Sequence, residues 1–178
     1  MPAGDGSPRI PVVALATMNT LPAKQALRDE LVTLLEGTLA ALERAHQGAR
    51  EAATHEESRP ENDKDTRALE QSYLARGQAM RIDELRSGLA AVRNMPTNTL
   101  AATTPAALGA IVRLEENGTS IVVFVAPHGG GTMLAGGTVQ VVTPQSPLGR
   151  SLVGKRVGDE VSLRLAERVR ELEVLAVA

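Results

Sequence analysis

Apolar residues recur between residues 20 and 93 at alternating steps of four and three, the spacing that holds one side of a helix against a partner helix. In the first half, Leu31, Leu35, Thr38, Leu42, Ala45, Ala49 and Ala52 fall at steps of 4, 3, 4, 3, 4 and 3. Asn19 or Thr20 can cap the helix that carries them, and Pro22 sits where a first-turn proline is tolerated. In the second half, Ala68, Ser72, Ala75, Ala79, Ile82 and Leu89 form the answering stripe, with Arg86 at the one position that departs from it. On both arms the small residues lie nearest the intervening stretch and the large ones farthest from it, so the arms match when run antiparallel. The pattern predicts a coiled-coil hairpin whose arms, of about 32 residues each, are about 48 Å long. Gly37 and Gly48 weaken the first arm by about 1 kcal/mol each relative to alanine. Spacing alone also fits a bundle pair or a dimerising coiled coil.

The stretch joining the arms, Thr54 to Arg67, is almost devoid of apolar residues and contains Pro60. It carries the carboxylates Glu56, Glu57, Glu61, Asp63 and Asp65. A hairpin built only for packing needs a few turn residues, and clustered like charges repel one another. The acidic tip, residues 55–65, is therefore expected to have a task of its own.

Past residue 93 the pattern changes. Asn94 to Pro105 holds two prolines, four threonines and no charge, and reads as a linker over residues 94–106. Strand-like runs follow at Leu108–Leu114 and Thr119–Ala126, joined by Asn117-Gly118, the strongest short hairpin signal. Thr138–Thr143, Glu160–Leu165 and Arg170–Val177 add three more, with a short helical turn bracketed by Gly149 and Gly154. The expected architecture is α+β: a flexible lead-in over residues 1–19, the hairpin over 20–93, the linker, and a compact antiparallel β domain over 107–178.

Composition narrows the functions available. Tyr73 and Phe124 are the only aromatic residues, so the core is aliphatic and ill suited to a deep substrate pocket. The absence of cysteine excludes disulfides, thiolate metal sites and thiol nucleophiles, and is compatible with a reducing cytoplasm. A formal net charge of −2 does not favour coating of nucleic acid, and no stretch has the about 18 apolar residues of a membrane span. Ile10–Ala16 is too short and too interrupted for a signal peptide.

Smaller motifs have plain readings. His128-Gly129-Gly130-Gly131 resembles the oxyanion loop of some esterases, but without a nucleophile elbow it reads as a flexible hairpin loop. Asn117-Gly118-Thr119 forms a glycosylation sequon inside a tight turn. His55 beside Glu56 and Glu57 is a weak zinc signal, better read as a solvated histidine. No nucleophile has a plausible base, so a free-standing enzyme is not expected.

The two halves together resemble the GreA/GreB-type transcript cleavage factors of bacterial RNA polymerase. The resemblance is carried by Val139 to Val161, and within it by the gap-free pattern Ser-Pro-x-x-x-x-Leu-x-Gly-Lys-x-x-Gly-Asp from Ser146 to Asp159. Glu61-Asn62 and the segment Gln78 to Leu85 are similar to the family's tip and returning helix. The family's tip usually reads Gly-Asp-Leu-Ser-Glu-Asn. Here Glu56-Glu57-Ser58-Arg59-Pro60-Glu61-Asn62 keeps Glu-Asn, has Glu57 in place of the Asp, and adds one residue, with a proline among those between them.

The resemblance implies an FKBP-like fold for the C-terminal domain, without isomerase activity, docking on the rim of the polymerase secondary channel. It assigns docking to the region of Ser146, Pro147, Gly149, Gly154 and Lys155. It implies that the hairpin enters that channel, where Glu57 and Glu61 help hold an Mg²⁺ ion shared with the polymerase beside the 3′ end of backtracked RNA. The chain would act as a cytoplasmic monomer, away from membranes, with polymerase core as partner and with no cofactor held alone. Two alternatives remain: a non-cleaving occupant of the channel, and a coiled-coil adaptor for another partner.

Overall fold

A computed structural model describes the backbone of residues 21–54, 66–101, 103–165 and 168–178. Helix α1 (Lys24–Thr54) and helix α2 (Thr66–Arg93) form the antiparallel hairpin. The seam is the one anticipated near its base: Leu27, Leu31 and Leu35 on α1 are buried against Ile82, Leu85, Leu89 and Val92 on α2. Two positions differ. Thr38 is exposed, with its hydroxyl donating to Leu34 O at 2.9 Å, and Leu39 turns inward in its place. On α2 the inward residue is Leu85, while Arg86 stays at the surface and reaches Glu43 across the hairpin at 2.7 Å. In both cases the helix rotates slightly to bury a leucine rather than a polar neighbour, which is worth about 2 kcal/mol for the leucine side chain. Toward the tip, Ala45 and Ala49 are exposed and His46 faces Gln78, with Nδ1 and Oε1 3.4 Å apart. The side chains of Ala52 and Ala68 lie outside the described set.

The β domain is one six-stranded sheet in the order β3-β4-β2-β1-β6-β5. Its strands are β1 (Ile111–Glu116), β2 (Thr119–Val125), β3 (Met133–Leu134), β4 (Val139–Val142), β5 (Glu160–Leu165) and β6 (Arg168–Val177). Asn117 and Gly118 both have positive φ, 50° and 77°, so the β1–β2 turn takes the twist that Asn-Gly favours. The sheet is mixed rather than wholly antiparallel, because β4 runs parallel to β2 in the register Val122↔Val139 to Val125↔Val142. The chain crosses back through residues 126–138, and β3, too short to read from sequence, is laid against the outer edge of β4. Helix α3 (Pro147–Leu152) follows.

Each sheet face is buried by a different cover. Ile111, Phe124, Val139 and Val141 join Leu27, Leu31, Leu35, Leu85, Leu89 and Val92, so the hairpin base and one sheet face share a single core. Val112, Leu114, Val123, Val125, Leu163, Leu172 and Val174 fill the other face together with Leu152 of α3. The stretch expected to be a linker is strapped down rather than free. Met95 is 4% exposed, Leu100 packs on the second core, and Lys24 Nζ donates to Asn98 O at 2.8 Å. Burial of that lysine lowers its pKa.

The His128–Gly131 segment is the seat of the hairpin base. A Cβ placed on Gly129 would lie 2.8 Å from Leu31 Cδ1, and one placed on Gly88 of α2 would lie 2.4 Å from the His128 ring. Expectation and structure part here: this loop serves a packing role, not that of an idle turn. Glu30 of α1 completes the junction, its carboxylate accepting the Ala135 N–H at 3.0 and 3.2 Å.

Candidate functional site

The Ser146–Asp159 stretch builds a rigid knob from local hydrogen bonds. Ser146 caps α3, its Oγ accepting the Gly149 N–H at 3.1 Å and donating to Thr143 O at 2.7 Å. Pro147 occupies the first turn, where its missing N–H costs nothing. A Cβ on Gly149 would fall 1.9 Å from Thr143 O, so only glycine fits there. Gly154 has φ +87° at the end of the helix, and its N–H donates to Ala106 O at 2.8 Å while Ala106 N–H donates to Lys155 O at 2.7 Å. Lys155 Nζ donates to Glu160 O at 2.9 Å. The turn closes where the Asp159 carboxylate accepts the Arg156 N–H at 2.8 Å and Arg156 Nη1 reaches Thr103 O at 3.1 Å.

Of the five residues that the sequence pointed to for docking, Ser146, Gly149, Gly154 and Lys155 thus have internal tasks that fix the shape of the knob. Pro147 is exposed, and beside it the structure exposes Arg150, Val153 and Val157. Sequence reasoning missed those three because a family pattern is dominated by the glycines and caps that shape a loop, not by the outward residues between them. Next to the knob lies a shallow depression of about 220 Å³ lined by Gly130, Gln140, Val142, Pro147, Leu148 and Leu163. It is the size of a side chain rather than of a substrate.

Arg170, which also lines the depression, pairs with Glu116 of β1, with Nε to Oε1 at 2.7 Å. The guanidinium's hydrogen bond holds the Glu116 carboxyl below its ordinary value, and the same bond raises Arg170. No polar or charged side chain is buried among the described residues.

The acidic tip, with Glu57 and Glu61, lies outside the described residues, as does His55. Among the described residues no group of three or more His, Cys, Asp or Glu side chains could hold a metal ion. Nor does any described helix have the length and apolarity to cross a membrane.

The family model described as "Transcription elongation factor, GreA/GreB, C-term" matches residues 105–178. Those residues, under half of the chain, are similar to the C-terminal domain of that family. Among solved structures, the GreA factor homolog 1 (Gfh1) of Thermus thermophilus aligns over 86% of this chain and 95% of its own, at 24% identity and a TM-score of 0.36. Gfh1 of Thermus aquaticus aligns over 86% and 94%, at 25% identity and a TM-score of 0.37. A GreA/GreB factor from Nitrosomonas europaea covers 55% of this chain and 78% of its own, at 17% identity and a TM-score of 0.35. Among curated proteins none matches the chain.

Proposed function

We propose that this chain is a transcription elongation factor that binds RNA polymerase core at the secondary channel, with the C-terminal domain on the rim and the hairpin directed inward. The observation that carries this reading is the match of residues 105–178 to the GreA/GreB C-terminal domain. The rigid knob offers an outward face of Pro147, Arg150 and Val153 for docking. Helix α1, 31 residues long, is about 46 Å end to end, enough to carry the tip well away from the docking face.

In this reading the tip glutamates Glu57 and Glu61 supply carboxylate oxygens to an Mg²⁺ shared with the polymerase, near the 3′ end of the backtracked RNA. Bound there, the ion activates water for phosphodiester hydrolysis, and the active site belongs to the polymerase. The chain's own task is delivery: the hairpin base, seated on the sheet, aims the tip. The factor works as a monomer in the cytoplasm and is not itself an enzyme.

One sequence feature favours a second reading. Glu57 and Glu61 stand four positions apart with Pro60 between them, whereas the family tip holds its acids three apart. A shift of about 1 Å in a ligand can cost about a hundredfold in rate. The chain would then occupy the channel without stimulating cleavage.

Transcript cleavage on a stalled, backtracked complex separates the two readings. Mg²⁺-dependent RNA shortening that is lost in the Glu57→Ala/Glu61→Ala variant supports the cleavage role. Inhibited elongation with no shortening supports the non-cleaving occupant. Failure of the chain to bind polymerase core would sink both and leave the hairpin as an adaptor for some other partner.

A further inference from the structure

The sheet has two edges, and only one of them is blunted. At the β3 edge the strand is two residues long, too short to template another chain. At the opposite edge β5 runs for six residues, contains no proline, and pairs with β6 in an unbroken register from Glu160↔Glu173 to Leu165↔Arg168. Alternate residues of an antiparallel strand turn their N–H and C=O groups to opposite neighbours. Lys155 Nζ donates to Glu160 O at 2.9 Å, which identifies Glu160, Ser162 and Arg164 as the set whose backbone faces outward. Among the described residues that lysine is the one group hydrogen-bonded to the outer side of β5.

The side chains along this edge match their own copy. Glu160, Ser162 and Arg164 are exposed, while Val161 and Leu163 are buried. No described residue forms an ion pair with Glu160 or Arg164. Arg164 stands opposite Val169, and Glu160 ends a row of like charges, Glu115↔Glu173↔Glu160, across β1, β6 and β5. Like charges directly opposite one another destabilise a sheet, and a cation opposite Glu160 relieves the row. Two copies of β5 related by a twofold axis through Ser162 supply that cation. In this antiparallel register Glu160 of each copy stands opposite Arg164 of the other, Val161 opposite Leu163, and Ser162 opposite its twin. The outward-facing residues then pair with outward-facing residues, and buried and exposed side chains keep to their own faces. The neighbouring registers that also keep the faces, with Val161 or Leu163 on the axis, set Ser162 opposite a charged residue and lose both Glu–Arg pairs.

We propose that β5 is a self-association surface, on which a second copy of this chain adds its own β5 and continues the sheet across a twofold axis at Ser162. The contact is isologous, so one strand supplies both halves of it. Its size makes it weak: six residues a side cover well under the about 800 Å² per partner of a stable interface, which sets the Kd on the order of 100 μM. Pairing also requires Lys155 to release Glu160 O. The free chain is therefore a monomer when dilute and a dimer when concentrated. The polymerase reading concerns the single bound copy and does not depend on this contact.

The test is sedimentation equilibrium of the full chain from about 10 μM to about 1 mM, a range that brackets that Kd. The wild type is expected to dimerise across it. Glu160→Arg and Arg164→Glu each set like charges opposite one another, and each is expected to raise the dimer Kd about tenfold or more, with circular dichroism verifying the fold. The double variant Glu160→Arg/Arg164→Glu is expected to recover wild-type association, and an equimolar mixture of the two single variants to form a mixed dimer. Ser162→Cys places one thiol in a chain that has no cysteine, about 5.5 Å between Cα atoms from its twin, and is expected to form an intermolecular disulfide under mild oxidation. Ser120→Cys, exposed on β2 away from the edge, is not. A wild-type chain that stays monomeric to about 1 mM overturns the proposal and leaves the edge to an extended segment of another protein. Association that survives both single reversals, or that the double variant fails to recover, overturns the register and with it the β5 surface.

Discussion

Gly88 of helix α2 lies directly against the imidazole of His128: a methyl group on Gly88 would come within 2.4 Å of His128 Cγ and 2.5 Å of Nδ1. Here the hairpin base meets the loop of the sheet, and here the direction of the finger is set. Gly88→Ala is expected to destabilise the protein by about 1 kcal/mol net, because overpacking outweighs the gain in helix propensity. In a His128→Ala background the same change becomes stabilising. Gly37→Ala, with nothing within 4 Å of its added carbon, stabilises in either background by about 0.5–1 kcal/mol. Chemical denaturation of the four proteins in the cycle, beside the Gly37 control, measures this. Equal effects of Gly88→Ala in both backgrounds would show that the contact is not felt.

A second part of the junction is held under strain. Ala135 has φ +50°, a left-handed conformation that costs an alanine about 1 kcal/mol or more, and its N–H is received by Glu30. Ala135→Gly is therefore expected to stabilise by about 1 kcal/mol. Glu30→Ala is expected to cost about 1 kcal/mol as that N–H loses its partner. Opposite signs from two changes at one hydrogen bond are readily seen by thermal melting.

The knob makes a sharper prediction. Gly149→Ala places a carbon 1.9 Å from a backbone oxygen that cannot swing aside, and the small domain is expected to lose about 3 kcal/mol or more. Ser146→Ala removes only the cap and is expected to cost about 1 kcal/mol. Pro147→Ala, at an exposed position, leaves the melting temperature nearly unchanged. If Gly149→Ala were as mild as Ser146→Ala, the packing of α3 against Thr143 would be misdescribed.

Acid sensitivity is expected from Glu116. Its carboxyl is held below the ordinary value of 4.5 by the hydrogen bond from Arg170. A carboxyl with a lowered folded-state pKa contributes stability that is present above the unfolded value and lost as pH falls through the folded one. Stability is thus expected to fall below about pH 4.5, and the fall should be shallower in Glu116→Gln. Denaturation midpoints at pH 7 and at pH 3 test this; parallel pH dependences in the two proteins would contradict it.

The sequence carried the frame of the fold better than its joints. Leu31, Leu35 and Leu42 could be read as inward because leucines at steps of four and three have few other destinations. Thr38 misled because a neighbouring leucine, Leu39, gained more by burial than the strict repeat did by being kept; Arg86, already the departure from the stripe, leaves the inward place to Leu85 in the same way. Asn117-Gly118 fixed one hairpin locally. The parallel pairing of β4 with β2 left no such local mark, since it depends on a crossover and on the two-residue strand β3. Least visible was the junction: Leu31 and Leu89 serve both the hairpin seam and the sheet core, and one apolar stripe in a sequence does not say that it has two partners. For the candidate site, the Ser146–Asp159 pattern located the knob but pointed to the residues that shape it rather than to Arg150 and Val153 that face outward.

The proposed function requires the tip at residues 55–65 to reach the catalytic centre of RNA polymerase. The most direct measurement replaces the polymerase's active-site Mg²⁺ with Fe²⁺, generates hydroxyl radicals there, and maps backbone cuts in the bound, end-labelled chain. The predicted result is cutting confined to the tip between the ends of α1 and α2, with the C-terminal domain intact. Cuts centred within residues 105–178, or no cuts in a chain that demonstrably binds, would contradict the account.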